Sequence, residues 1–236
     1  MLKKSIVAII AYIFVCSVEA AGKFDLPDYE YIQSIGKEQY DLMLHRFYAQ
    51  DTTLSLTDVQ TIYYGSAFYG YLGKGMERDD YEAAQKRGLK GFTAFLDSCL
   101  SVTPVDLQTL ACRFTTAEMA KDTSSMYKYS GMYNRLTTAI ILTGDGFTDT
   151  TAVHVVSVPD EYSLMTYIWR VRLENQTLTY SQCDKMECVR KNNGKKKTIY
   201  FDVQLPLAID RYKLSKSKKP FHFRYNTSIN KQKRSL

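Results

Sequence analysis

The chain has 236 residues, of which 45% are hydrophobic and 24% are charged, and its formal net charge is +6. This length and apolar content allow one large or two small domains with a buried core, and they exclude a wholly disordered chain. The excess positive charge lies in residues 206–236, which contain nine Lys or Arg against Asp210 alone, so the body is not basic and nucleic-acid binding is not expected.

Residues 1–20 have the organisation of a secretory signal peptide. Two lysines precede an apolar run from Ile6 to Cys16, and Val18 and Ala20 are the small residues before a cut after Ala20. An uncleaved N-terminal anchor and a lipoprotein acylated at Cys16 are the alternatives. No later stretch is long and apolar enough to span a bilayer. We therefore expect an exported protein, periplasmic or extracellular, without a membrane span after cleavage.

Residues 21–143 are predicted to form irregular antiparallel helical hairpins, the first part of an α+β fold. Apolar residues recur at helical spacing over 29–47, 57–69, 81–99, 104–114 and 122–140. The first of these segments gives one helix or two short ones. The short connections between segments imply antiparallel neighbours.

Three helix starts carry recognisable signals. Thr57 and Gln60 have the spacing of a capping box, in which each side chain bonds to the backbone of the other residue. Thr103 and Pro104 predict a cap followed by a proline in the first turn. Asp122 predicts the cap of the last helix in this region.

Two helices share a spacing that resembles the first helix of a tetratricopeptide repeat. Large, large, small and aromatic residues recur at intervals of three, one and three, and the small residue would let a partner helix approach. The two copies lie 46 positions apart, too far for that repeat, so we expect irregular hairpins; any amphipathic helix with a small residue is the alternative. The residues are Thr61, Tyr64, Gly65 and Phe68, and Leu107, Leu110, Ala111 and Phe114.

Residues 144–209 predict a small antiparallel β-sheet. The β-branched run 152–158 is typical of a strand, bounded by Gly-Asp-Gly and by Pro159. Residues 162–173 alternate and favour another strand, although three of their apolar residues would also form a helical face. A turn at Glu174-Asn175 and a strand over 177–183 are predicted to follow.

Asn193-Gly194 predicts a hairpin with a two-residue turn. That turn would place Cys188 opposite Ile199, and Met186 opposite Phe201. These four side chains would share one apolar face, which we expect to be buried.

The cysteines that follow the signal peptide are predicted to be free thiols. Cys99 and Cys112, near the end of one helix and inside the next, would be offset by roughly 12 Å along the helix axis. That offset exceeds the ~7 Å Cα separation that a disulfide allows. Cys183 and Cys188 are an odd number of residues apart on a strand and would face opposite sides.

Residues 210–236 predict a basic tail. A flexible terminus is the first interpretation, and an electrostatic contact with envelope lipid or acidic glycan is the second. Phe221, Phe223 and Tyr225 alternate with polar residues, so this part of the tail would form one more strand or dock on the body.

Five aromatic residues cluster between 63 and 71, where they would form core or stack on sugar rings. Tyr63, Tyr69 and Tyr71 fit the apolar stripe least well. These three are the candidate binding residues.

The sequence contains no recognised catalytic motif, so we predict no catalytic residue, metal site or cofactor. His154 alternates with valines and predicts a half-buried imidazole with a hydrogen-bond partner. Asp145, Asp149 and Asp160 flank turns, and their spacing is not that of a calcium loop.

Four phrases of the chain together resemble a family of uncharacterised exported proteins of Bacteroides-type gut bacteria, a domain of unknown function. The resemblance covers about residues 24–209, and it implies an envelope or secreted location without implying an activity. The phrases are DTTLSLTDVQTIYYG (51–65), GDGFTDTTAVHVVSVPDEY (144–162), CDKMECV (183–189) and TIYFDVQLPL (198–207).

Three functions are compatible with these observations. The first is a non-enzymatic binding or scaffold protein of the bacterial cell envelope, with a protein or peptide partner between helical hairpins. The second is a glycan-binding accessory protein that uses exposed tyrosines. The third is a hydrolase with carboxylates at the junction of the two halves.

Overall fold

The computed structural model describes residues 24–71, 78–215 and 220–226. The predicted signal peptide lies outside them. The helices are α1 Tyr29–Ser34, α2 Lys37–Tyr48, α3 Leu56–Gly65, α4 Arg78–Gln85, α5 Gly88–Val102, α6 Leu107–Met119, α7 Thr123–Ile141, α8 Val158–Ser163 and α9 Gln204–Leu214. The strands are β1 Val153–His154, β2 Val171–Leu178, β3 Cys183–Arg190 and β4 Lys196–Asp202. The described residues therefore have the predicted α+β order, with helices first and a small sheet near the C-terminal end.

Glycines divide two of the predicted helical segments. Gly36, with φ of +79°, separates α1 from α2, and Gly88, with φ of +74°, is the first residue of α5. A backbone in this left-handed region cannot continue a right-handed helix. The segment over 81–99, predicted as one helix, therefore forms α4 and most of α5.

Two of the three predicted helix caps are displaced by two or three residues. Ser55 and Asp58 form the capping box of α3, so the prediction of Thr57 and Gln60 was wrong. Ser55 has the extended backbone that a capping residue needs, whereas Thr57 already lies inside the helix. Asp106 caps α6 in place of Thr103. Asp122 caps α7 as predicted.

The small residue of the first tetratricopeptide-like pattern allows close packing. A Cβ placed on Gly65 would lie 2.5 Å from Cε2 of Tyr40 in α2, so only glycine leaves room for that ring. The Tyr40 hydroxyl then donates to the Ile62 carbonyl oxygen at 2.8 Å. The absence of a side chain at residue 65 thus allows α2 to pack close to α3.

The sheet is mixed, with strand order β1-β4-β3-β2. β1 is parallel to β4 and pairs Val153 with Phe201, while the remaining pairs are antiparallel. The predicted strand over 152–158 is correct only for β1. Beyond it, the Val156 backbone N–H donates to the Tyr63 hydroxyl at 3.2 Å and not to a neighbouring strand.

The strand predicted over residues 162–173 is also mostly wrong. Helix α8 continues into one turn of π-helix, Leu164–Ile168, because its apolar residues form the helical face that was the alternative interpretation. β2 starts only at Val171. The predicted turn at Glu174-Asn175 is a bulge within β2, since the register shifts between Leu173 and Asn175.

The β3–β4 hairpin keeps its predicted faces but not its register. Met186 lies opposite Ile199, and Cys188 lies opposite Lys197. The loop is longer than two residues, because the Gly194 N–H donates to the Arg190 carbonyl oxygen at 2.9 Å. A shift by two residues leaves every side chain on its original face.

One hydrophobic core joins the helices to the sheet. Phe47, Leu110, Leu136, Met186 and Phe201 are all fully buried in it. A second, smaller cluster lies between α4, α5 and α6 and contains Ala84, Phe92 and Leu96. Packing is therefore continuous across the boundary that the sequence suggests near residue 144.

Candidate functional site

A cleft of about 230 Å³ lies where the helical half meets the sheet half. Three chain segments form most of it: the connection before α6, residues 156–160 at the start of α8, and one stripe of α9. Its polar residues include Thr103, Asp106, Ser157, Asp160, Asp210 and Lys213, and its remaining wall includes Tyr71, Val105, Val156, Val158, Pro159, Pro206 and Ile209.

The local sequence explains why the carboxylates meet at this cleft. Asp106 is the cap of α6 and accepts a hydrogen bond from the Thr109 N–H at 2.6 Å. Asp160 follows Pro159 in the first turn of α8, where an acidic residue is favourable. Asp210 is one turn beyond Pro206 on α9, so both residues face the same side.

Asp160 is the buried member of this group, with 2% of its surface exposed. Its Oδ2 accepts hydrogen bonds from the Tyr63 hydroxyl at 2.7 Å and from the Ser157 hydroxyl at 2.8 Å. Its Oδ1 has no hydrogen-bond partner of good geometry among the described residues, and the Leu107 N–H near it favours the charged form only weakly. One oxygen is therefore held in place by two hydroxyl groups, and the other is buried without a comparable side-chain partner.

Burial raises the pKa of Asp160 to about 7, and the neighbouring Asp106 carboxylate acts in the same direction. Hydrogen bonds from Tyr63 and Ser157 lower it in part. A carboxyl group with this pKa exists in both protonation states near neutral pH. It can therefore accept or donate a proton, and such groups are frequent at functional sites.

Glu161 is the next residue and is fully buried. Burial raises the pKa of Glu161 to about 9, and the charges of Asp184 and Asp160 add to this effect. Glu161 is therefore protonated at neutral pH beside the Asp184 carboxylate, and neither of its oxygens makes a hydrogen bond of good geometry among the described residues. The Asp184 carboxylate accepts from Gln176 Nε2 at 2.8 Å. This pair lies behind the cleft and is not among the cleft-lining residues.

A family model for a domain of unknown function, DUF4919, matches residues 30–211. The chain belongs to the DUF4919 family. Comparisons with curated proteins and with solved structures found no match. The match confirms the resemblance to a domain of unknown function, over residues 30–211, and it includes all three cleft carboxylates, Asp106, Asp160 and Asp210.

Of the three tyrosines predicted to bind a ligand in this DUF4919 protein, only Tyr71 lines the cleft. Tyr63 is fully buried, so the expectation that it is exposed was wrong. Tyr69 is half-buried, stacks on Tyr40 with ring centroids 4.8 Å apart, and donates to the Ile32 carbonyl oxygen. Aromatic spacing along a helix could not distinguish these environments, because α3 is buried on nearly all sides and ends at Gly65, before Tyr69 and Tyr71.

The acidic residues near the turns also differ. Asp145 accepts from the Phe147 N–H at 2.9 Å, as expected of a turn residue. Asp149 begins the 3-10 turn Asp149–Thr151 and accepts from the distant Ser181 hydroxyl at 2.9 Å. Asp160 was placed in the same group, but it is a buried residue of α8. The missed signal is Pro159 followed by two acids, which is typical of a first helical turn.

His154 is 4% exposed, so it is buried and not half-buried as predicted. Its Nδ1 is 3.3 Å from the Tyr29 hydroxyl. Burial lowers the pKa of the His154 imidazole. The ring is neutral at physiological pH, and it does not line the cleft.

The cysteines of the DUF4919 domain are free thiols, as predicted. Cys112 lines a second cavity, of about 350 Å³, together with Tyr81, Phe92 and Tyr167. Burial raises the pKa of Cys112 to about 11, so its thiol is protonated and a poor nucleophile.

Within the described ranges, no three His, Cys, Asp or Glu side chains are grouped to hold a metal ion. Nor, in that part of the chain, is any helix long and apolar enough to cross a membrane.

Proposed function

We propose that this DUF4919 protein is an exported, non-enzymatic binding protein of the bacterial cell envelope and that its ligand occupies the cleft at Asp160. The organisation of residues 1–20 supports export. The resemblance of four phrases to exported proteins of Bacteroides-type gut bacteria supports the envelope location.

The observation that carries the proposal is the second oxygen of Asp160. Asp160 lines the cleft, and this oxygen is buried in its wall without a strong partner among the described residues, so a ligand would reach it by a small movement of the side chain. A buried oxygen without a partner costs about 1–3 kcal/mol, which a ligand that donates a hydrogen bond would recover. The ligand group is therefore a hydroxyl or an amine. Sugar rings and lysine side chains carry such groups.

The remaining wall of the cleft fits a group that is only partly polar. Val156 and Pro206 supply apolar surface, and the half-buried ring of Tyr71 lies at the edge. Binding pockets commonly combine an apolar wall with a few fixed polar groups. The glycan-binding alternative gains support from Tyr71, because sugar rings stack on aromatic side chains.

A hydrolase is the second candidate, and one observation favours it. The pKa of Asp160, raised to about 7 by burial, suits a general acid, and Asp106 is a second carboxylate on the same cleft. In that case Asp160 would donate a proton to a leaving group.

The test is a calorimetric screen of the full mature protein against a panel of oligosaccharides, lysine-containing peptides and free amines. Asp160→Asn keeps the shape of the side chain but replaces an acceptor oxygen with an amide. We expect it to weaken binding of the selected ligand at least tenfold. Glu118→Gln, on the exposed side of α6, should not change affinity.

Product analysis on each bound ligand separates binding from hydrolysis. Turnover that disappears in Asp160→Asn would replace the binding proposal with the hydrolase. Unchanged affinity in Asp160→Asn would exclude the cleft as the ligand site.

Export has its own test. The intact mass of the envelope-derived protein should correspond to a chain that begins at Ala21 and carries no lipid. A mature chain that starts at an acylated Cys16 would contradict it.

A further inference from the structure

The segment 220–226 docks on the body in an extended form without joining the sheet. Its residues alternate in exposure. Phe223 is 5% exposed, Phe221 and Tyr225 are half-buried, and His222 and Arg224 face solvent. The alternation predicted from the sequence is therefore real, and docking is the alternative that the structure supports.

The Gln33 side chain holds the centre of this segment. The Phe223 N–H donates to Gln33 Oε1 at 2.7 Å, and Gln33 Nε2 donates to the Phe223 carbonyl oxygen at 2.9 Å. One amide side chain thus makes the pair of hydrogen bonds that a neighbouring strand would make. The Phe223 ring lies edge-on to Tyr29, with centroids 4.9 Å apart.

The two ends of the segment have separate partners. The Phe221 ring stacks on Phe68, with centroids 5.5 Å apart, and lies 5.2 Å from the ring of Tyr212. At the other end the Tyr225 hydroxyl donates to Asp202 Oδ2 at 2.9 Å. Two apolar subsites and one hydrogen-bonding subsite therefore recognise every second residue.

The surface that receives the segment is a groove between α1, the end of α3, and α9, and we call it the aromatic groove. Its residues Gln33, Phe68, Asp202 and Tyr212 come from distant parts of the chain, and all except Tyr212 lie within the family match over 30–211. Residues 220–226 lie beyond that match. The groove thus lies mainly within the family match, whereas its occupant lies outside it.

We propose that the aromatic groove is a peptide-binding site, that residues 220–226 are its intramolecular ligand, and that the same segment of a second copy of this chain binds when the resident segment is released. The groove contacts only residues of the segment itself. A segment from another molecule could therefore make the same contacts without being part of the same chain. The basic character of residues 206–236 beside a body that is not basic favours this encounter. The inference does not depend on the ligand of the cleft.

The test uses the full chain with a specific protease site in place of residues 216–219. After complete cleavage we expect the C-terminal fragment to remain associated on gel filtration. A labelled peptide of residues 220–236 should replace it, as measured by fluorescence anisotropy. Attachment gives the resident segment a high effective concentration. The same peptide should therefore bind uncut protein at least a hundredfold more weakly.

A matched peptide tests the register. Exchanging Phe221 with His222 and Phe223 with Arg224 keeps composition and charge but moves both phenylalanines by one position. We expect this peptide to bind at least tenfold more weakly. Equal binding of the two peptides would show a merely electrostatic contact and would overturn the proposal. So would a cut protein that keeps its circular dichroism spectrum but binds neither peptide.

If cleavage unfolds the chain, amide hydrogen exchange on the uncut protein tests the same proposal. Gln33→Ala should increase amide exchange over 221–225 at least tenfold, with little change in the strands. If these amides exchange only together with the core, the segment is an integral part of the fold and the proposal is wrong.

Discussion

The Tyr63 hydroxyl donates a 2.7 Å hydrogen bond to Oδ2 of Asp160, although the two residues lie 97 positions apart in the chain. The Tyr63 hydroxyl oxygen also accepts a hydrogen bond from the Val156 N–H at 3.2 Å. Tyr63 thus connects α3 to the segment that carries the cleft. It also fixes Asp160 without itself reaching the surface, so changes at Tyr63 should alter stability first.

Tyr63→Phe keeps the ring but removes the hydroxyl, which leaves the Val156 N–H and part of Asp160 without a partner. We expect the free energy of unfolding in urea to fall by about 1–3 kcal/mol. Tyr180→Phe is the control, because Tyr180 is fully exposed and its change should stay within about 0.5 kcal/mol. Equal effects of the two changes would contradict this account of the buried hydrogen bonds.

Gly65→Ala and Gly131→Ala form a matched pair of helical substitutions. Alanine is the better helix former by about 1 kcal/mol. At Gly65, however, the new Cβ would lie 2.5 Å from the Tyr40 ring, so overpacking should cost about 1–3 kcal/mol. At Gly131 the nearest atom is Oε1 of Gln50 at 3.3 Å, on a flexible side chain, so alanine should be neutral or stabilising. Thermal melting of both variants checks the opposite signs.

Stability should decrease as pH rises, because burial raises the pKa of Glu161 from 4.5 to about 9. Between these values the folded chain keeps a proton that the unfolded chain has released, so raising the pH favours unfolding. Each pKa unit corresponds to about 1.4 kcal/mol. Asp160 contributes with the same sign from 3.8 to about 7.

Glu161→Gln should therefore reduce the dependence of the free energy of unfolding on pH, measured by urea unfolding at several pH values. Because Asp160 still titrates in this variant, some dependence on pH should remain between 3.8 and about 7. Glu118→Gln, an exposed change on α6, should leave the wild-type slope intact. A slope that survives unchanged in Glu161→Gln would show that Glu161 is ionised in the folded protein.

The helical half was predictable because its signals are local. The cap at Asp122 and the division at Gly36 follow from the chemistry of single residues. The predicted caps were two residues from Ser55 and three residues from Asp106, because several neighbouring residues can cap a helix. Only the backbone conformation decides among them.

The sheet was predicted less well because pairing is a long-range property. Parallel pairing of Val153 with Phe201 depends on a partner 48 positions away, and no local pattern specifies it. Residues 162–173 had both strand and helical periodicities, and in the structure they divide between the π-helical turn Leu164–Ile168 and the start of β2. The third functional interpretation placed carboxylates at the junction of the two halves but did not identify them, since Asp106, Asp160 and Asp210 meet only in the folded chain.

Phe201→Asp tests the buried face of the hairpin, which the corrected register preserves. Phe201 is fully buried and faces the core between Asp184 on β3 and Val153 on β1. An unpaired carboxylate there should cost several kcal/mol, enough to unfold a marginally stable domain. Thr198→Asp, on the opposite face of β4, should cost no more than about 1 kcal/mol. Expression, followed by circular dichroism of both variants, measures the difference. A folded Phe201→Asp protein would show that this face is not buried.

Tyr71→Ala separates ligand binding from folding. Its ring lines the cleft, and its hydroxyl donates to Asp41 at 2.9 Å on a partly exposed surface. Removing it should therefore lower the thermal midpoint only slightly, while affinity for the ligand found by calorimetry falls at least tenfold, as expected of an aromatic anchor. Tyr63→Ala, in contrast, creates a cavity in the core and should cost about 3–5 kcal/mol, so its loss of binding would follow from unfolding. A folded Tyr71→Ala protein that keeps wild-type affinity would remove Tyr71 from the binding site.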